Sequence, residues 1–340
     1  MTQENKDILL KLLERHKELG IASQIDYDKF YLYSIIVHST AIEGSTVTEV
    51  EAQLLFDEGI TSSNRTMLEQ MMNLDLKVAY EYGREWIKRH EPITTEWLIT
   101  LAAKVMARTG SEYSAMGGNF SAARGELRKL NVTAGLGGKS YMSYLKVPER
   151  LDSFCKELNK RRNAIDPTDL CAVYDLSFWA HYELVTIHPW ADGNGRTSRL
   201  LMNLLQMEFG VLPTKVLTKD KLTYIQALID TREKEDIGIF QNCMVKLHVE
   251  HLRSDIEEYL NSTDGTTQKR NNTTQKKPTT TQKAILNYLK EHPKATRQEV
   301  ADALGYITEN GIKYHFDRLQ KNGYLKREGG RKTGSWLVKD

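Results

Sequence analysis

Hydrophobic residues recur every three or four positions along most of the first 260 residues, with polar residues between them. That spacing places the apolar side chains on one face of an α-helix. The pattern is clearest in four segments: DILLKLLERHKEL, MMNLDLKVAYEYGREWI, EWLITLAAKVMART and DLCAVYDLSFWAHYELVTI. The sequence therefore predicts a mainly α-helical fold built from amphipathic helices.

Residues 125–149 depart from the helical pattern. The segment GELRKLNVTAGLGGKSYMSYLKVPE has β-branched and aromatic residues on both sides of a Gly-Leu-Gly-Gly stretch. Two short runs of this kind around a glycine-rich turn are typical of a hairpin. We expect a short β-hairpin or an extended flap at this point in the chain.

The chain changes character after residue 260. Residues 261–280, NSTDGTTQKRNNTTQKKPTT, have almost no apolar side chains to bury, so we expect a linker. Residues 281–340 then show three helical patterns, the second opened by Thr296 and Glu299 at the spacing of a capping box. Two strand-like segments around a glycine-rich basic turn follow. This order predicts a winged helix-turn-helix, a small α+β domain.

Charge is divided unevenly between these parts. Residues 266–340 contain 16 Lys and Arg against 7 Asp and Glu, whereas the preceding residues contain 31 against 38. A basic C-terminal part on an acidic body indicates a partner of its own, and DNA is the first candidate. The alternative is a winged helix that serves protein contact, with its charges merely solvated.

Composition excludes several classes of protein. With 40% hydrophobic and 27% charged residues the chain is typical of globular proteins, and no apolar run approaches the roughly 18 residues of a membrane span. The N-terminus lacks the features of a signal peptide, and the three cysteines have no paired spacing. We therefore expect a cytoplasmic protein with reduced thiols and no membrane partner.

The candidate chemistry is concentrated in HPWADGNGRTSR, residues 188–199, which we call the active loop. Its Gly-Asn-Gly segment directly precedes a predicted helix, so the backbone N–H groups there form a concave anion site. Arg196 and Arg199 are three positions apart and project from similar sides of the first helical turn. Two guanidinium groups beside such a nest suit a polyphosphate better than a single carboxylate.

Two further residues of the active loop extend this chemistry. Asp192 could hold a divalent cation, because magnesium commonly binds one protein carboxylate together with phosphate oxygens. His188, directly before a proline that ends the preceding helix, could serve as a general base near neutral pH. A simple turn between two helices is the alternative for each residue taken alone. The glycine spacing fits neither a P-loop nor a Rossmann fingerprint, and a zinc site on His181 and His188 lacks a supporting motif.

The active loop closely resembles the signature of the Fic domain, HPF-x-(D/E)-GNGR-x-x-R, with Trp190 in place of the usual Phe. Residues 125–149 resemble the Fic flap, more loosely. The segment HSTAIEGS resembles the inhibitory motif (S/T)-x-x-x-E-(G/N), with Ser39, Glu43 and Gly44 at its defined positions. The expected fold is thus a Fic-type helical core with a short hairpin flap, followed by the winged helix.

The resemblance implies transfer of AMP from ATP to a Ser, Thr or Tyr hydroxyl of a target protein and of the chain itself, with Mg²⁺ as cofactor. It assigns His188 as the base that deprotonates the acceptor, Asp192 as the magnesium ligand and Arg199 as the γ-phosphate contact. The residues it assigns to the α- and β-phosphates are Gly193, Asn194, Gly195 and Arg196. It places target docking on the flap, at Lys139, Ser140, Tyr141 and Met142.

The resemblance also implies autoinhibition. Glu43 would pair with Arg199 where the γ-phosphate should lie, and Ser39, one turn earlier, would support the same helix. Helix signals alone make Glu43 an exposed glutamate after a helix over residues 27–40, capped by Gly44. We expect a nearly silent wild type that Glu43→Gly activates. A related hypothesis is that Glu43 positions water for the reverse reaction, the removal of AMP.

The predicted DNA contacts lie on the third helix and the wing of the C-terminal domain. Phosphate contacts from basic side chains there would make binding depend on salt. The candidates are Lys313, His315, Arg318 and Lys321 on the helix, and Arg327, Arg331 and Lys332 on the wing.

The predicted organisation has four parts: an N-terminal helical region with the inhibitory motif (1–95), a Fic core (96–260), a linker (261–280) and a winged helix (281–340). The leading function is an autoinhibited adenylyltransferase carrying a DNA-binding module. The alternative is a nucleotide-sensing transcriptional regulator with a weakly active Fic-like core. A third hypothesis is a different phosphate-containing donor, and self-association of the chain is also considered.

Overall fold

A computed structural model of the chain describes residues 1–134, 139–267, 280–304, 309–321, 323–328 and 334–339. The chain divides into two compact units. The larger unit comprises Met1–Thr61 together with Arg65–Leu260, and the smaller one comprises the rest.

The larger unit is built from α-helices, which confirms the predicted mainly α fold. The four segments with the clearest helical pattern all form helices. In chain order the helices are α1 (Gln3–Glu18), α2 (Tyr27–Ile42), α3 (Glu49–Glu58), α4 (Met67–Ile87), α5 (Thr95–Val105), α6 (Val147–Ala164), α7 (Leu170–Ile187), α8 (Asn194–Glu208), α9 (Lys221–Lys234) and α10 (Ile237–Thr267). Two short antiparallel strands, β1 (Glu112–Tyr113) and β2 (Phe120–Ser121), pair between α5 and α6.

Capping boxes define where α3 and α4 begin. At α3, the Glu51 N–H donates to Thr48 Oγ1 at 3.3 Å, and the Thr48 N–H donates back to Glu51 Oε2 at 2.8 Å. Thr66 and Glu69 make the same reciprocal pair at α4. Each box satisfies two N–H groups that have no intrahelical acceptor. Hydrogen bonds between neighbouring residues therefore determine where α3 and α4, the two helices after the inhibitory motif, begin.

The helices α7 and α8 lie at the centre of the larger unit, because both contribute to two separate clusters of buried apolar side chains. The first cluster joins them to α2, α4, α5 and α6. The second joins them to α1, α9 and α10. Since α2 and α4 share a core with α5 and α6, the expected boundary between residues 95 and 96 does not separate compact units. The segment that connects α7 to α8 is the active loop.

The smaller unit has the order expected of a winged helix. Its helices are α11 (Thr280–Glu291), α12 (Arg297–Leu304) and α13 (Glu309–Lys321), followed by strands β3 (Leu325–Glu328) and β4 (Ser335–Val338). The strands are antiparallel, with Leu325 opposite Val338. Thr296 and Glu299 cap α12 reciprocally, as their spacing predicted. A separate apolar cluster, which includes Phe316 and Trp336, forms the core of this unit.

The flap is less regular and shorter than predicted. Thr133 and Ser140 form an isolated antiparallel bridge, and the Tyr141 N–H donates to the Val132 carbonyl at 3.0 Å. The expected end at residue 149 was wrong, because α6 already begins at Val147. A proline in the first turn, Pro148, favours that helix start. The glycine-rich turn at 135–138 lies outside the described residues.

The predicted linker also begins differently. The backbone of α10 remains helical through Thr267, seven residues into the stretch expected to be a linker from residue 261. Polar residues cannot fill a core, but a helix that has already started can propagate through them at little cost. Residues 268–279 lie outside the described part of the chain.

Two smaller expectations concern the membrane and the cysteines. Within the described residues, no helix is both long and apolar enough to cross a bilayer. Cys155, Cys171 and Cys243 are all present as free thiols.

Candidate active site

The active loop begins with a residue in an unusual backbone conformation. His188 follows the last residue of α7 with φ 52° and ψ 61°, in the left-handed region that residues other than glycine rarely adopt. Arg128 holds this conformation from the base of the flap. Its Nε donates to the His188 carbonyl at 2.7 Å, and its backbone N–H donates to the Pro189 carbonyl at 2.9 Å. Such surroundings make an otherwise unfavourable backbone geometry persist.

Trp190 and Asn194 fix the middle of the loop. The Trp190 N–H donates to Asn194 Oδ1 at 3.1 Å, and Asn194 Nδ2 donates back to the Trp190 carbonyl at 2.9 Å. The buried indole of Trp190 donates from Nε1 to the Gly125 carbonyl at 2.9 Å, a bond that a phenylalanine could not make. Because the Asn194 side chain bridges the loop in this way, we expect Asn194 to contact a ligand through its backbone N–H.

The loop ends in an anion-binding geometry at the start of α8. Gly193 has φ 81°, and a Cβ there would lie 2.7 Å from Met106 Sδ, so this position requires glycine. The N–H groups of Asn194, Gly195 and Arg196 occupy the first turn, where a helix offers no acceptor. Arg196 is only 3% exposed, and within the described residues its Nε and Nη1 have no hydrogen-bond partner. Buried donors of this kind call for an anion.

His188 is arranged as a neutral base. Its Nδ1 lies 3.2 Å from the Val185 carbonyl, which can only accept, so Nδ1 carries the proton and Nε2 keeps a lone pair. Burial lowers the pKa of His188 to about 4, against a smaller opposing effect of the Val185 bond. The ring of Tyr141 stacks on the imidazole, with centroids 3.9 Å apart and planes 18° apart. His188 is therefore uncharged near neutral pH.

Asp192 is a suitable single ligand for a magnesium ion. Its side chain is 56% exposed beside Arg196, and its Oδ1 accepts the Gly193 N–H at 2.5 Å. Nowhere in the described ranges do three or more His, Cys, Asp or Glu side chains gather as a metal cage. One accessible carboxylate next to an anion site fits magnesium, which takes its other ligands from water and phosphate. It does not fit a closed zinc site.

Glu43 and Ser39 meet Arg199 at the other side of the first turn of α8. Arg199 Nη2 donates to Glu43 Oε1 at 2.6 Å and to the Ser39 carbonyl at 2.9 Å, while its Nε donates to Ser39 Oγ at 2.9 Å. A Cβ on Gly195 would lie 2.8 Å from Glu43 Oε1. The carboxylate therefore lies directly against the turn that forms the anion site.

The charges around Glu43 keep it ionised. Burial by itself would raise the pKa of Glu43, but Arg199, together with Arg196 and Lys221, outweighs that effect and lowers it below the ordinary value. The Arg199 guanidinium is itself buried, at 3% exposure of the side chain. The Glu43 side chain is 34% exposed, so the pair is half-buried, and breaking it leaves the buried guanidinium as an uncompensated charge.

The loop geometry agrees with the family comparison. Residues 92–206 match the model of the Fic/DOC family. The chain contains a Fic domain. Residues 278–326 match the model of winged helix-turn-helix DNA-binding domains, so the expectation of both domains is confirmed.

Curated relatives of the chain include protein adenylyltransferases. It is 25% identical over 236 residues to the protein adenylyltransferase fic-1 of Caenorhabditis elegans, covering 68% of this chain. It is 28% identical over 201 residues to the protein adenylyltransferase Fic of Nematostella vectensis, covering 57% of this chain. In both cases the match spans 42% of the relative's length.

Solved structures share the fold. A Fic domain containing signaling protein from Bacteroides thetaiotaomicron is similar with a TM-score of 0.60 at 22% identity, over 75% of this chain and 97% of that one. A Fic family protein from Desulfovibrio desulfuricans is similar with a TM-score of 0.58 at 17% identity, over 100% of this chain and 97% of that one. At these identities the likeness concerns the fold alone.

The flap of the Fic domain lies against α9 and the active loop. Lys139 Nζ is 3.3 Å from Glu233 Oε1, and the Ser140 carbonyl accepts a hydrogen bond from Arg232. The Arg232 guanidinium lies 5.1 Å from the centre of the Tyr141 ring, which also covers His188. The Met142 carbonyl accepts from Arg128 Nη2 at 2.6 Å. Each of the four predicted docking residues thus makes a contact with a residue outside the flap tip: Glu233, Arg232, His188 or Arg128.

Sequence reasoning missed Arg128 and Arg232. Arg128 is 1% exposed, and its guanidinium donates to three backbone carbonyls, those of Leu130, Met142 and His188. Two of those carbonyls lie 14 and 60 positions away, and no local sequence pattern marks contacts over such distances. The one available signal was that Arg128 lies near the start of the segment with hairpin character, residues 125–149.

The predicted DNA contacts of the winged helix are unequally presented. Lys313, Arg318 and Arg327 are exposed, and the Arg327 guanidinium lies 4.7 Å from the centre of the Trp336 ring. His315 is half-buried, and burial lowers its pKa. Lys321 is the last residue of α13, and its side chain is not among those described. Arg331 and Lys332 lie outside the described residues.

Proposed function

We propose that this chain is an ATP-dependent protein adenylyltransferase that transfers AMP to a Ser, Thr or Tyr hydroxyl of a target protein and of itself. The observation that carries the proposal is the buried Arg196 guanidinium, whose Nε and Nη1 have no partner among the described residues. An anion completes its hydrogen bonds, and the first turn of α8 offers backbone N–H groups to the same ligand. The Fic match and the adenylyltransferase relatives favour ATP as the source of that anion.

In the proposed reaction the acceptor hydroxyl oxygen attacks the α-phosphorus of ATP. The bond from that phosphorus to the oxygen bridging to the β-phosphate breaks, and pyrophosphate leaves. His188 Nε2 accepts the hydroxyl proton, for which its neutral state and its Nδ1 bond to Val185 prepare it. The backbone N–H groups of Asn194, Gly195 and Arg196 hold the α- and β-phosphates together with the Arg196 guanidinium. Gly193, whose own N–H donates to Asp192 Oδ1, forms the turn that exposes them. Catalysis then rests on positioning and charge neutralisation.

Asp192 holds Mg²⁺ in this proposal. When bound, the ion neutralises phosphate charge, as in other phosphoryl-transfer sites. The exposed carboxylate beside the anion site supports this assignment.

Glu43 is the proposed inhibitor of the same site. Arg199 is assigned to the γ-phosphate, and the carboxylate that now accepts from its Nη2 competes for that donor. Ser39 stabilises the inhibited arrangement, because its Oγ and its carbonyl accept from the same guanidinium. The wild type is then nearly silent, and loss of the Glu43 side chain frees Arg199 for the nucleotide.

The experiment uses the full chain as wild type, Glu43→Gly and Glu43→Gly with His188→Ala. Each protein is incubated with MgATP and its intact mass is measured. We expect a gain of one or more AMP groups on Glu43→Gly, little on the wild type and none on the double variant, which should still bind ATP. Folded Glu43→Gly protein that binds ATP and gains no AMP would contradict the proposal. Labelling by a different phosphate-containing donor in place of ATP would correct the substrate.

A second candidate function is a nucleotide-sensing DNA-binding regulator with little catalysis. The winged helix-turn-helix match is the observation that favours it. The variant His188→Ala separates the two: DNA binding that responds to ATP identically with and without the base, in a protein that transfers no AMP, would favour the sensor.

A further inference from the structure

A tyrosine outside the active loop contacts the guanidinium on which the proposed inhibition depends. Tyr224, on α9, lies next to Arg199: burial raises the pKa of its phenol, and the adjacent guanidinium opposes that rise through its charge and through hydrogen bonding. The same hydroxyl lies 3.0 Å from His181 Nε2, on α7. Tyr224 is 3% exposed and His181 is fully buried. Neither side chain has a part in the proposed transfer of AMP.

We propose that Tyr224, itself fixed by His181, is a positioning residue that holds Arg199 ready for the γ-phosphate whether or not Glu43 is paired with it. The inference rests on the proposed function, since it takes ATP as the ligand of the anion site. It adds a contact that no motif of the Fic signature contains.

The donor and acceptor chemistry of the three groups is complementary. A guanidinium can only donate, so the Tyr224 oxygen accepts from Arg199. The arrangement that also gives the phenol proton an acceptor directs it to His181 Nε2, with the histidine proton on Nδ1. His181 is neutral, because burial, assisted by the positive charge of Arg199, lowers its pKa to about 3. A charged His181 could not accept, and it would repel the guanidinium.

The contacts of Arg199 come from two separate helices. Ser39 and Glu43 both lie at the end of α2, so a displacement of that helix end would break both of their contacts with Arg199. Tyr224 belongs to α9, so it does not move with the end of α2 that carries Glu43. After Glu43 leaves, Tyr224 still restricts a long side chain that would otherwise sample many rotamers.

The tyrosine is rigid enough to serve as such an anchor. Its ring and that of His181 both pack on Phe240 of α10, with centroids 6.1 Å and 5.1 Å away. All three side chains are buried between α7, α9 and α10. A donor held in advance loses less entropy when the phosphate binds, so its bond contributes more to affinity.

The test compares MgATP with MgADP, which differ by the γ-phosphate alone. Calorimetry on full-length Glu43→Gly, with His188→Ala added so that no AMP is transferred during the titration, gives the dissociation constant of MgADP divided by that of MgATP, and this ratio measures the benefit of the γ-phosphate. We expect Tyr224→Phe in that background to reduce the ratio by about tenfold, equivalent to about 1.4 kcal/mol, and to leave the ADP affinity unchanged. An unchanged ratio would overturn the proposal.

Tyr174→Phe in the same background is the matched control. The Tyr174 hydroxyl lies 2.9 Å from His248 Nε2 in the same apolar cluster, so this variant also breaks a buried Tyr–His bond. Its unfolding temperature should fall by a similar amount, while its ratio of the MgADP to the MgATP dissociation constant stays that of its parent. A similar loss of the ratio in both variants would mean that general loosening of the core is responsible, which contradicts a specific role of Tyr224.

A second pair of variants tests the histidine and covers a failure of Tyr224→Phe to fold. In His181→Gln the amide oxygen can accept the phenol proton near the position of Nε2, whereas His181→Leu offers no acceptor. We expect the glutamine variant to keep the parent's ratio of the MgADP to the MgATP dissociation constant and the leucine variant to show a lower one. Equal ratios in both would overturn the proposal. Failure of the proposed function is distinguishable, because Glu43→Gly protein with an intact His188 would then gain no AMP from MgATP, a readout that is separate from the ratio of dissociation constants.

Discussion

Arg199 Nη2 and Glu43 Oε1 lie 2.6 Å apart, although 156 positions separate the two residues in the sequence. The pair lies against Gly195, in the turn whose N–H groups would receive a nucleotide. One guanidinium therefore has two competing anionic partners, the carboxylate of α2 and a phosphate of the substrate.

The first prediction separates the charge of Glu43 from its size. Glu43→Gln keeps the shape and an accepting oxygen but loses the charge, and hydrogen bonds to charged groups contribute about 1.5–3 kcal/mol against about 1 kcal/mol for neutral ones. We expect the initial rate of autoadenylylation to increase from the wild type to Glu43→Gln and again from Glu43→Gln to Glu43→Gly. Glu49→Gln, which removes a carboxylate that pairs with His38 instead, should stay at the wild-type rate. A Glu43→Gln protein as silent as the wild type would rule out charge as the basis of inhibition.

The second prediction concerns Ser39. Ser39→Ala removes the Oγ that accepts from Arg199 Nε but leaves the backbone carbonyl, so inhibition should weaken without disappearing. We expect a rate several-fold above the wild type and well below Glu43→Gly, measured with labelled ATP. Ser34→Ala, a buried serine on the same helix that pairs with Glu49, is the control and should not activate. Equal rates for the two serine variants would argue against support by Ser39.

The third prediction is a pH profile. The neutral form of His188 is the base, and its pKa of about 4 means that protonation sets in only as the pH falls through that value. The kcat/KM of Glu43→Gly should therefore be flat between about pH 8 and 5 and decline below. A decline centred near the ordinary histidine pKa of about 6.5 would show that burial does not persist in the active form.

Tyr141 provides a variant for the same profile. Its ring covers the imidazole at 3.9 Å, so Tyr141→Ala should admit water and raise the pKa of His188 towards its ordinary value. In the Glu43→Gly background the acidic decline should then shift to higher pH. Tyr182→Ala, on the helix α7 that precedes His188 but packed against the second apolar cluster, should leave the profile unchanged.

The fourth prediction concerns the Arg128 clamp. A lysine cannot reach three carbonyls in different directions from one nitrogen, so Arg128→Lys leaves buried acceptors unpaired. We expect the free energy of unfolding of the Fic domain to fall by about 2 kcal/mol or more, measured by urea denaturation. Arg124→Lys is the matched control, because Arg124 lies four residues before Arg128 but forms its ion pairs on the surface. Equal stability of the two variants would contradict the clamp.

The fifth prediction tests DNA binding by the winged helix. Each lysine or arginine that contacts a phosphate steepens the dependence of log Kd on log salt by about 0.9. Lys313→Ala and Arg318→Ala should each flatten that slope, measured by fluorescence anisotropy on duplex DNA at increasing salt. Lys283→Ala, on α11 rather than α13, should not. Binding that does not weaken with salt, or no binding, would favour protein contact as the role of this domain.

Much of the architecture can be predicted from local sequence. Helical periodicity located the helices of the larger unit, because an amphipathic pattern depends on residues three or four positions apart. The winged helix followed from the order of its elements and from the Thr296 capping box. Errors arose where tertiary context decides: the flap ends before Val147, and α10 runs on through Thr267.

The active loop was also visible in the sequence, since its histidine, carboxylate, glycines and arginines are contiguous. Their types alone indicated an anion site with a base and a magnesium ligand. The naming of AMP transfer, and the pairing of Glu43 with Arg199, came from the resemblance to the Fic signature rather than from composition or spacing.

Only the tertiary structure decided the protonation states of the active-site side chains and the residues that they contact. The packing of α2, α7, α8 and α9 brings Ser39, Glu43 and Tyr224 to Arg199, and Arg128 to the carbonyl of His188. Burial then sets the pKa of His188 well below the ordinary value and leaves Nε and Nη1 of Arg196 without a partner in the described part of the chain. Contacts between distant residues and the removal of water arise from packing, which no local pattern records. The sequence thus determined which chemical groups the site contains, and the fold determined their protonation and their partners.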